Sequence, residues 1–164
     1  MKFPTRKQIR LDSYDYSQIG SYFITICTEK RARLFAMENS MFMKTGESKM
    51  QNQILRKWVD GCMARFSNIS IDRYIIMSDH VHLLITIKEQ ISDVSIPDVV
   101  GFFKSHTTND YITGVKTGHL KPFCKKLWQK SYYDHVVRDQ RDYNEIWQYI
   151  VNNPMKWKVV HGLE

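Results

Sequence analysis

Two apolar segments joined by only two residues set the tightest limit on how this chain can fold. Residues 70–77 (SIDRYIIM) and 80–87 (HVHLLITI) are rich in β-branched side chains, which favours extended strands. Only Ser78 and Asp79 separate the two segments. Because so short a link suits a tight turn and not a crossover, the two segments predict an antiparallel hairpin.

Further strands and helices are predicted on either side of this hairpin. Residues 21–28 (SYFITICT) and 127–137 (LWQKSYYDHVV) predict two more strands. Apolar residues recur at helical spacing over 47–66, and Ser95 followed by Pro97 predicts the start of a second helix. Residues 139–152 predict a last helix, which Pro154 is expected to stop.

The order of these elements predicts an α/β (α+β) fold of the split βαβ type. This is a ferredoxin-like or RRM-like antiparallel sheet with two helices on one face, here followed by an added C-terminal helix. A chain of 164 residues suits a single domain that buries one core. Residues 1–18 predict a basic N-terminal arm on that single domain, 1–164.

Charge and composition narrow the choice of partner and compartment. The chain carries 24 Lys and Arg against 17 Asp and Glu, and this excess favours an anionic partner such as nucleic acid. No apolar run approaches the ~18 residues of a membrane span, and the first residues lack a signal-peptide pattern. Three separated cysteines fit reduced thiols. We therefore expect a cytoplasmic, nucleoid-associated protein without a membrane partner.

Lysines cluster between residues 99 and 133, where Asp110 is the only acid and aromatic residues are interleaved. Lysines neutralise phosphates and aromatic faces stack unpaired bases, so this region predicts contact with single-stranded or hairpin DNA. A solvated loop beside core aromatics is the alternative. The predicted DNA-binding residues are Arg6, Lys7, Arg10, Lys104, Lys121, Lys125, Lys126 and Lys130, with Phe123, Trp128, Tyr132 and Tyr133 as the interleaved aromatics.

His80-Val81-His82 is the sharpest local motif. Residues i and i+2 of a strand point to one face, so both imidazoles can reach one metal ion while Val81 faces the core. Two histidines on a half-exposed strand face are the alternative. Asp79 could add a carboxylate to the ion, but we expect it to end a turn.

These motifs together resemble a known family. His80-Val81-His82 is a His-hydrophobic-His (HUH) motif, and RYIIMSDHVHLLITI resembles the HUH strand of single-tyrosine transposases. Three other segments resemble, in collinear order, the REP-associated tyrosine transposase branch of that family. They are RKQIRLDSYDYSQIGSYFITICTEKRARLF, FFKSHTTNDYITGVK and LWQKSYYDHVVRDQRDYNEIWQYIVNNP, and the resemblance spans roughly residues 6–160.

The resemblance implies a metal-dependent transposase and single-strand DNA endonuclease. Such an enzyme cleaves and rejoins single-stranded or hairpin DNA, here REP-like palindromes, through a 5′-phosphotyrosine intermediate. It implies Tyr149 as the nucleophile, His80, His82 and Asn153 as metal ligands, and Mg²⁺ or Mn²⁺ as the ion. It also allows a homodimer. Residues 149 and 153 are i and i+4, so their side chains can share one helical face.

Several alternatives stay open. Tyr149 lies near Ile146 and Ile150 on the helical wheel and could be an ordinary core residue. The chain could be a domesticated relic, a DNA-hairpin-binding module that no longer cleaves. His106-Thr107-Thr108 also matches one of the two HxT motifs that a two-histidine RNA phosphoesterase needs on strands. The rival nucleophiles are Tyr132, Tyr133 and Tyr143, none of which combines a helix with a ligand at i+4.

Overall fold

The computed structural model describes residues 11–37, 46–90 and 93–161, with the backbone alone at 46–49 and 154–161. The predicted DNA-binding residues Arg6, Lys7 and Arg10 lie outside these ranges. The elements are β1 (Gly20–Cys27), α1 (Gly46–Arg65), β2 (Ile69–Ile76), β3 (His80–Ile87), α2 (Ile96–Lys116), β4 (Tyr133–Val136) and α3 (Gln140–His161). A short 3₁₀ turn, Glu29–Arg31, follows β1.

The four strands form one antiparallel sheet in the order β2-β3-β1-β4. The predicted hairpin is confirmed, because β2 pairs with β3 and Ile76 faces Val81 across the turn. β3 and β1 are the two central strands, and β1 runs beside β3 with Cys27 opposite His80. The predicted split βαβ fold is thus confirmed, including its added C-terminal helix.

The two faces of the sheet carry different cores. Alternation along the strands sends Ile24, Val81 and Leu83 to a large cluster shared with α1 and α2, which we call the α1/α2 face. Phe23 and Leu84 point the other way, into a smaller cluster with Ile146 and Ile150 of α3. We call this side the α3 face. α3 packs there on β2 and β3.

A β-bulge in β2 helps to dock α3. Ile71 pairs with Ile85 and Arg73 with Leu84, so Asp72 is an extra residue in the ladder. As a result two consecutive side chains reach α3: Asp72 contacts Tyr143, and the Arg73 guanidinium lies 5.1 Å from the Trp147 ring centroid.

Two predicted boundaries are wrong. Of the predicted strand 127–137, only β4 forms. Trp128 pairs with Thr28 just beyond the end of β1, but residues 130–132 then leave the ladder. α3 continues past Pro154 to His161. A proline removes one backbone donor and strains the preceding turn, which can kink a helix without ending it. In the described part of the chain, no helix is both long and apolar enough to cross a membrane.

Candidate functional site

His80 and His82 lie side by side on the α3 face of β3. Their residues are only 6% and 5% exposed, whereas Val81 between them is fully buried on the α1/α2 face. The prediction that both rings share one face is therefore confirmed. The two Nε2 atoms are 3.2 Å apart, so the rings converge on a single point.

Each ring is oriented through its other nitrogen. His80 Nδ1 lies 2.6 Å from the Asp79 carboxylate, and His82 Nδ1 lies 2.8 Å from Thr25 Oγ1. An ionised carboxylate can only accept a hydrogen bond, so His80 Nδ1 carries a proton and Nε2 is directed away from Asp79, toward His82. Carboxylates and hydroxyls in this position commonly fix the tautomer and direction of metal-binding histidines.

Asp79 lies in the hairpin turn, as predicted, and its carboxylate also orients the His80 ring. Its second oxygen lies 3.0 Å from Arg31 Nε, and Arg31 Nη1 donates to Cys27 Sγ at 2.6 Å. Burial raises the pKa of Asp79, but the hydrogen bond with His80 and the charge of Arg31 outweigh burial and hold the pKa below its usual value. The carboxylate therefore stays ionised at neutral pH.

Arg31 reaches Asp79 from a strained turn. Lys30 and Arg31 adopt left-handed backbone angles, with φ of 53° and 57°, which side chains larger than glycine rarely adopt. Thr28 closes the turn, since its hydroxyl donates to the carbonyls of Ala32 and Asp79. The strained backbone of Lys30 and Arg31 therefore lies directly beside the histidine pair.

His82 is held in its neutral form. Burial lowers the pKa of His82 well below its usual value, and the charge of Arg31 lowers it further. Neutral imidazole is the form that binds a metal ion.

Tyr149 lies against His82 within the same chain. The Tyr149 ring centroid is 5.5 Å from that of His82 and 5.9 Å from that of Phe23, which itself stacks on His82 at 5.1 Å. Burial raises the pKa of Tyr149, while a hydrogen bond with the Asn153 side chain lowers it in part. Tyr149 therefore packs beside the Ile146 cluster and also borders the histidine pair.

The donor set fits a divalent ion. Two ligands bound to one ion at ~2.1 Å and at right angles lie ~3.0 Å apart, close to the separation of the two Nε2 atoms. Within the described ranges no third His, Cys, Asp or Glu joins them. Asn153 is buried and hydrogen-bonds the Tyr149 side chain, and its amide carries an oxygen of the kind that binds divalent ions.

Tyr132, Tyr143 and His106 lie in other settings. Tyr132 is buried in the cluster of the α1/α2 face, and Tyr143 donates its hydroxyl to Asp72 at 2.9 Å. Burial and this bond to a carboxylate raise the pKa of Tyr143 to about 12, which opposes its ionisation. His106 lies in α2 beside Phe102, so the strand-borne HxT motif of an RNA phosphoesterase is not formed there.

Two basic grooves meet at the segment before β4. Both are lined by Lys126, Gln129 and Lys130; one has a volume of 390 Å³, and the other, along α2, has 450 Å³. Lys125 lines the α2 groove, and Lys121 is exposed on the loop beyond α2. The predicted lysines of this loop are therefore exposed together.

Three residues of this region also hold the fold together. The Lys104 ammonium donates to the carbonyls of Gln129 and Lys130, at 2.7 and 3.1 Å, and so ties α2 to the interrupted strand. Trp128 and Tyr132 are buried in the core and cannot stack bases, so that part of the prediction is wrong. Phe123 and Tyr133 remain partly exposed at the grooves.

Sequence reasoning missed Phe23, Thr25 and Arg31. Alternation along β1 puts Phe23 and Thr25 on one face, but only the strand register, with Thr25 opposite His82, brings them to the histidines. Nothing in the local pattern around Arg31 indicates its left-handed turn.

Comparisons with known proteins identify the family of this chain. The family whose description is "Transposase IS200 like" matches residues 20–153. An uncharacterized protein of Haemophilus influenzae is 30% identical, over 93% of this chain and 90% of its own length. A second protein of that organism, provisionally named a REP-associated tyrosine transposase, is 23% identical over 87% of this chain and 74% of its own.

Two solved structures share the fold. A REP-associated tyrosine transposase bound to a REP hairpin matches with a TM-score of 0.58 and 21% identity, covering 88% of this chain and 70% of that one. A provisionally named transposase from Deinococcus radiodurans R1 matches with a TM-score of 0.52 and 21% identity, covering 85% and 95%. Because the family match covers most of the chain, including His80, His82 and Tyr149, this protein belongs to the IS200-like transposase family.

Proposed function

We propose that this protein cleaves and rejoins single-stranded or hairpin DNA, with Tyr149 as the nucleophile. The observation that carries the proposal is the convergence of the His80 and His82 Nε2 atoms, 3.2 Å apart, beside the Tyr149 ring of the same chain. His80, His82 and Asn153 would hold Mg²⁺ or Mn²⁺. When bound, the ion polarises the scissile phosphate and stabilises the charge that develops on it.

The reaction is a transfer of the phosphoryl group to tyrosine. The Tyr149 hydroxyl oxygen forms a bond to the scissile phosphorus, and the bond from phosphorus to the 3′ oxygen breaks. The phenol gives up its proton, and the leaving 3′ oxygen takes one up. The products are a 5′-phosphotyrosine and a free 3′-hydroxyl. Attack by another 3′-hydroxyl reverses the step without ATP, because the new bond keeps the phosphodiester energy.

The residues around Tyr149 prepare it for this attack. Burial raises the pKa of Tyr149, so the side chain is a neutral phenol at rest. The hydrogen bond with Asn153 opposes that effect and orients the hydroxyl. Contacts with His82 and Phe23 restrict the ring, so the hydroxyl meets the substrate in one position.

The basic grooves would bind the DNA backbone. Lys126 and Lys130 border both grooves, and Lys125 borders one of them, so a phosphate chain passing between the grooves would meet several ammonium groups. The solved relative bound to a REP hairpin supports a hairpin as the substrate. REP-like palindromes that flank the gene are accordingly the substrates to test.

The decisive experiment looks for the covalent adduct. Oligonucleotides carrying each flanking palindrome, labelled 3′ of the cut, are incubated with the protein and Mn²⁺ and run on a denaturing gel. We expect a shifted band that protease removes, that Tyr149→Phe abolishes and that Tyr111→Phe, a matched change on the α1/α2 face, retains.

Other outcomes are equally clear. An adduct that persists in Tyr149→Phe refutes the assignment of the nucleophile. Tight hairpin binding by the wild type with no adduct on any palindrome supports the non-cleaving hairpin-binding module instead.

A further inference from the structure

The start of α3 is held to both edges of the sheet by two consecutive residues. On the β2 edge, the Tyr143 hydroxyl donates to Asp72 Oδ2 at 2.9 Å. On the β4 edge, Asp142 Oδ2 lies 2.9 Å from His135 Nε2 and also accepts the Arg138 backbone N–H. Asp142 is only 6% exposed. We call Asp72, Tyr143, His135 and Asp142 the α3 clamp.

Asp72 is itself rigidly placed. It is the extra residue of the β2 bulge, and its two oxygens accept hydrogen bonds from Ser70 at 2.6 Å and Thr86 at 2.5 Å. Thr86 in turn bonds to Ser21 at 2.7 Å, so the carboxylate is tied to three neighbouring strands. Without the bulge, regular alternation would turn Asp72 or Arg73 away from α3.

The clamp and the nucleophile share one helix. Tyr149 follows Tyr143 by six residues, which places it ~9 Å further along α3. Further along α3, Ile146 and Ile150 make apolar contacts with the sheet. These contacts set how closely the helix approaches the sheet more than the angle at which it crosses the strands. Hydrogen bonds are directional, so the two polar contacts set the angle at which the helix crosses the sheet.

We propose that the α3 clamp positions Tyr149 beside the His80–His82 pair, with the bulge residue Asp72 as its central positioning residue. The inference rests on the proposed function, since it assigns a purpose to the placement of the nucleophile. Burial and the bond to Asp72 raise the pKa of Tyr143 to about 12, so this donor keeps its proton at every pH at which the enzyme would work.

The test compares Tyr143→Phe with Tyr111→Phe. Tyr111 lies in α2, and its hydroxyl accepts a hydrogen bond from Gln51, so the control also removes one hydroxyl contact but on the other face. Adduct formation is measured in single turnover at saturating hairpin DNA and Mn²⁺, and DNA affinity is measured separately. Hydrogen exchange at the amides of residues 143–153 reports the mobility of α3 without any need for cleavage.

We expect Tyr143→Phe to slow adduct formation by about tenfold, the effect of losing one hydrogen bond to a charged group, with DNA affinity unchanged. Exchange in α3 should rise in this variant and not in Tyr111→Phe. Asp72→Asn, which keeps an acceptor, should retain more activity than Asp72→Ala. If Tyr143 served only to stabilise the fold, the rate of adduct formation would fall equally in Tyr143→Phe and Tyr111→Phe.

The outcomes separate the clamp from the proposed function. Wild-type adduct rate and exchange in Tyr143→Phe would overturn the clamp and leave the proposed function standing. Absence of the adduct from the wild type would overturn the proposed function, and exchange in α3 would still decide whether the clamp holds the helix.

Discussion

Asp79→Asn should weaken metal binding without unfolding the protein. The Asp79 carboxylate lies 2.6 Å from His80 Nδ1 and its side chain is only 12% exposed, so solvent screens this bond little. Asparagine keeps the size and an accepting oxygen but removes the negative charge that makes His80 a stronger ligand. Loss of such an outer carboxylate typically costs about 10- to 100-fold in metal affinity, or ~1.4–2.7 kcal/mol.

The cost to folding should be smaller. The Arg31 side chain is 49% exposed, so water can solvate its guanidinium when Asp79 no longer carries a charge. An ion pair this exposed on one side contributes about 1 kcal/mol or less to stability. The variant should therefore remain folded at assay temperature, and loss of activity at low metal concentration will report on the site alone.

The assay is the rate of adduct formation as a function of Mn²⁺ concentration, with metal binding measured directly by calorimetry. The midpoint should move 10- to 100-fold upward, while the plateau rate returns close to the wild-type value. Asp60→Asn, an exposed site on α1, is the matched control. A midpoint within twofold of wild type would refute the orienting role of Asp79, as would a lowered plateau at an unchanged midpoint.

Three further predictions concern the metal, the DNA and the start of α3. His82→Ala, or excess EDTA, should abolish cleavage on denaturing gels while hairpin affinity stays within about twofold, because lysines supply most of that affinity. Lys126→Ala and Lys130→Ala should each weaken binding of all hairpin sequences and lower the salt slope by about 1, measured by titration at several salt concentrations. Burial raises the pKa of Asp142, but its hydrogen bonds outweigh burial and hold the pKa below its usual value. The ionised carboxylate therefore stabilises the fold at pH values above its pKa in the unfolded chain, and this stabilisation is lost as the pH falls through its pKa in the folded protein. Urea unfolding should accordingly show Asp142→Asn less stable than wild type by about 1–2 kcal/mol at pH 6, with the difference shrinking below pH 3.8.

The sheet was predictable because its signals are local. A two-residue link between 70–77 and 80–87 leaves one way to pair them, and alternation then places Val81 in the core and both histidines on the other face. The i and i+4 spacing of Tyr149 and Asn153 likewise predicts their contact without knowledge of the fold.

Features that depend on strand register or tertiary contacts were not predictable. The bulge adds Asp72 to β2 without disturbing its apolar pattern in a recognisable way. Trp128 and Tyr132 are interleaved with lysines in the sequence, yet both are buried in the core cluster of the α1/α2 face. The sequence does not distinguish Lys104 from other basic residues. Only the fold shows that its ammonium donates to two backbone carbonyls.

The division of the sheet into two faces bears on what such a protein can lose while it stays folded. The larger core lies on the α1/α2 face, and the groove lysines come from the turn after β1, from α2 and from the segment before β4. Tyr149 and the imidazoles of His80 and His82 lie on the opposite face. Substitutions of these three residues therefore leave the larger core unchanged, and the fold can persist after the proposed chemistry is lost.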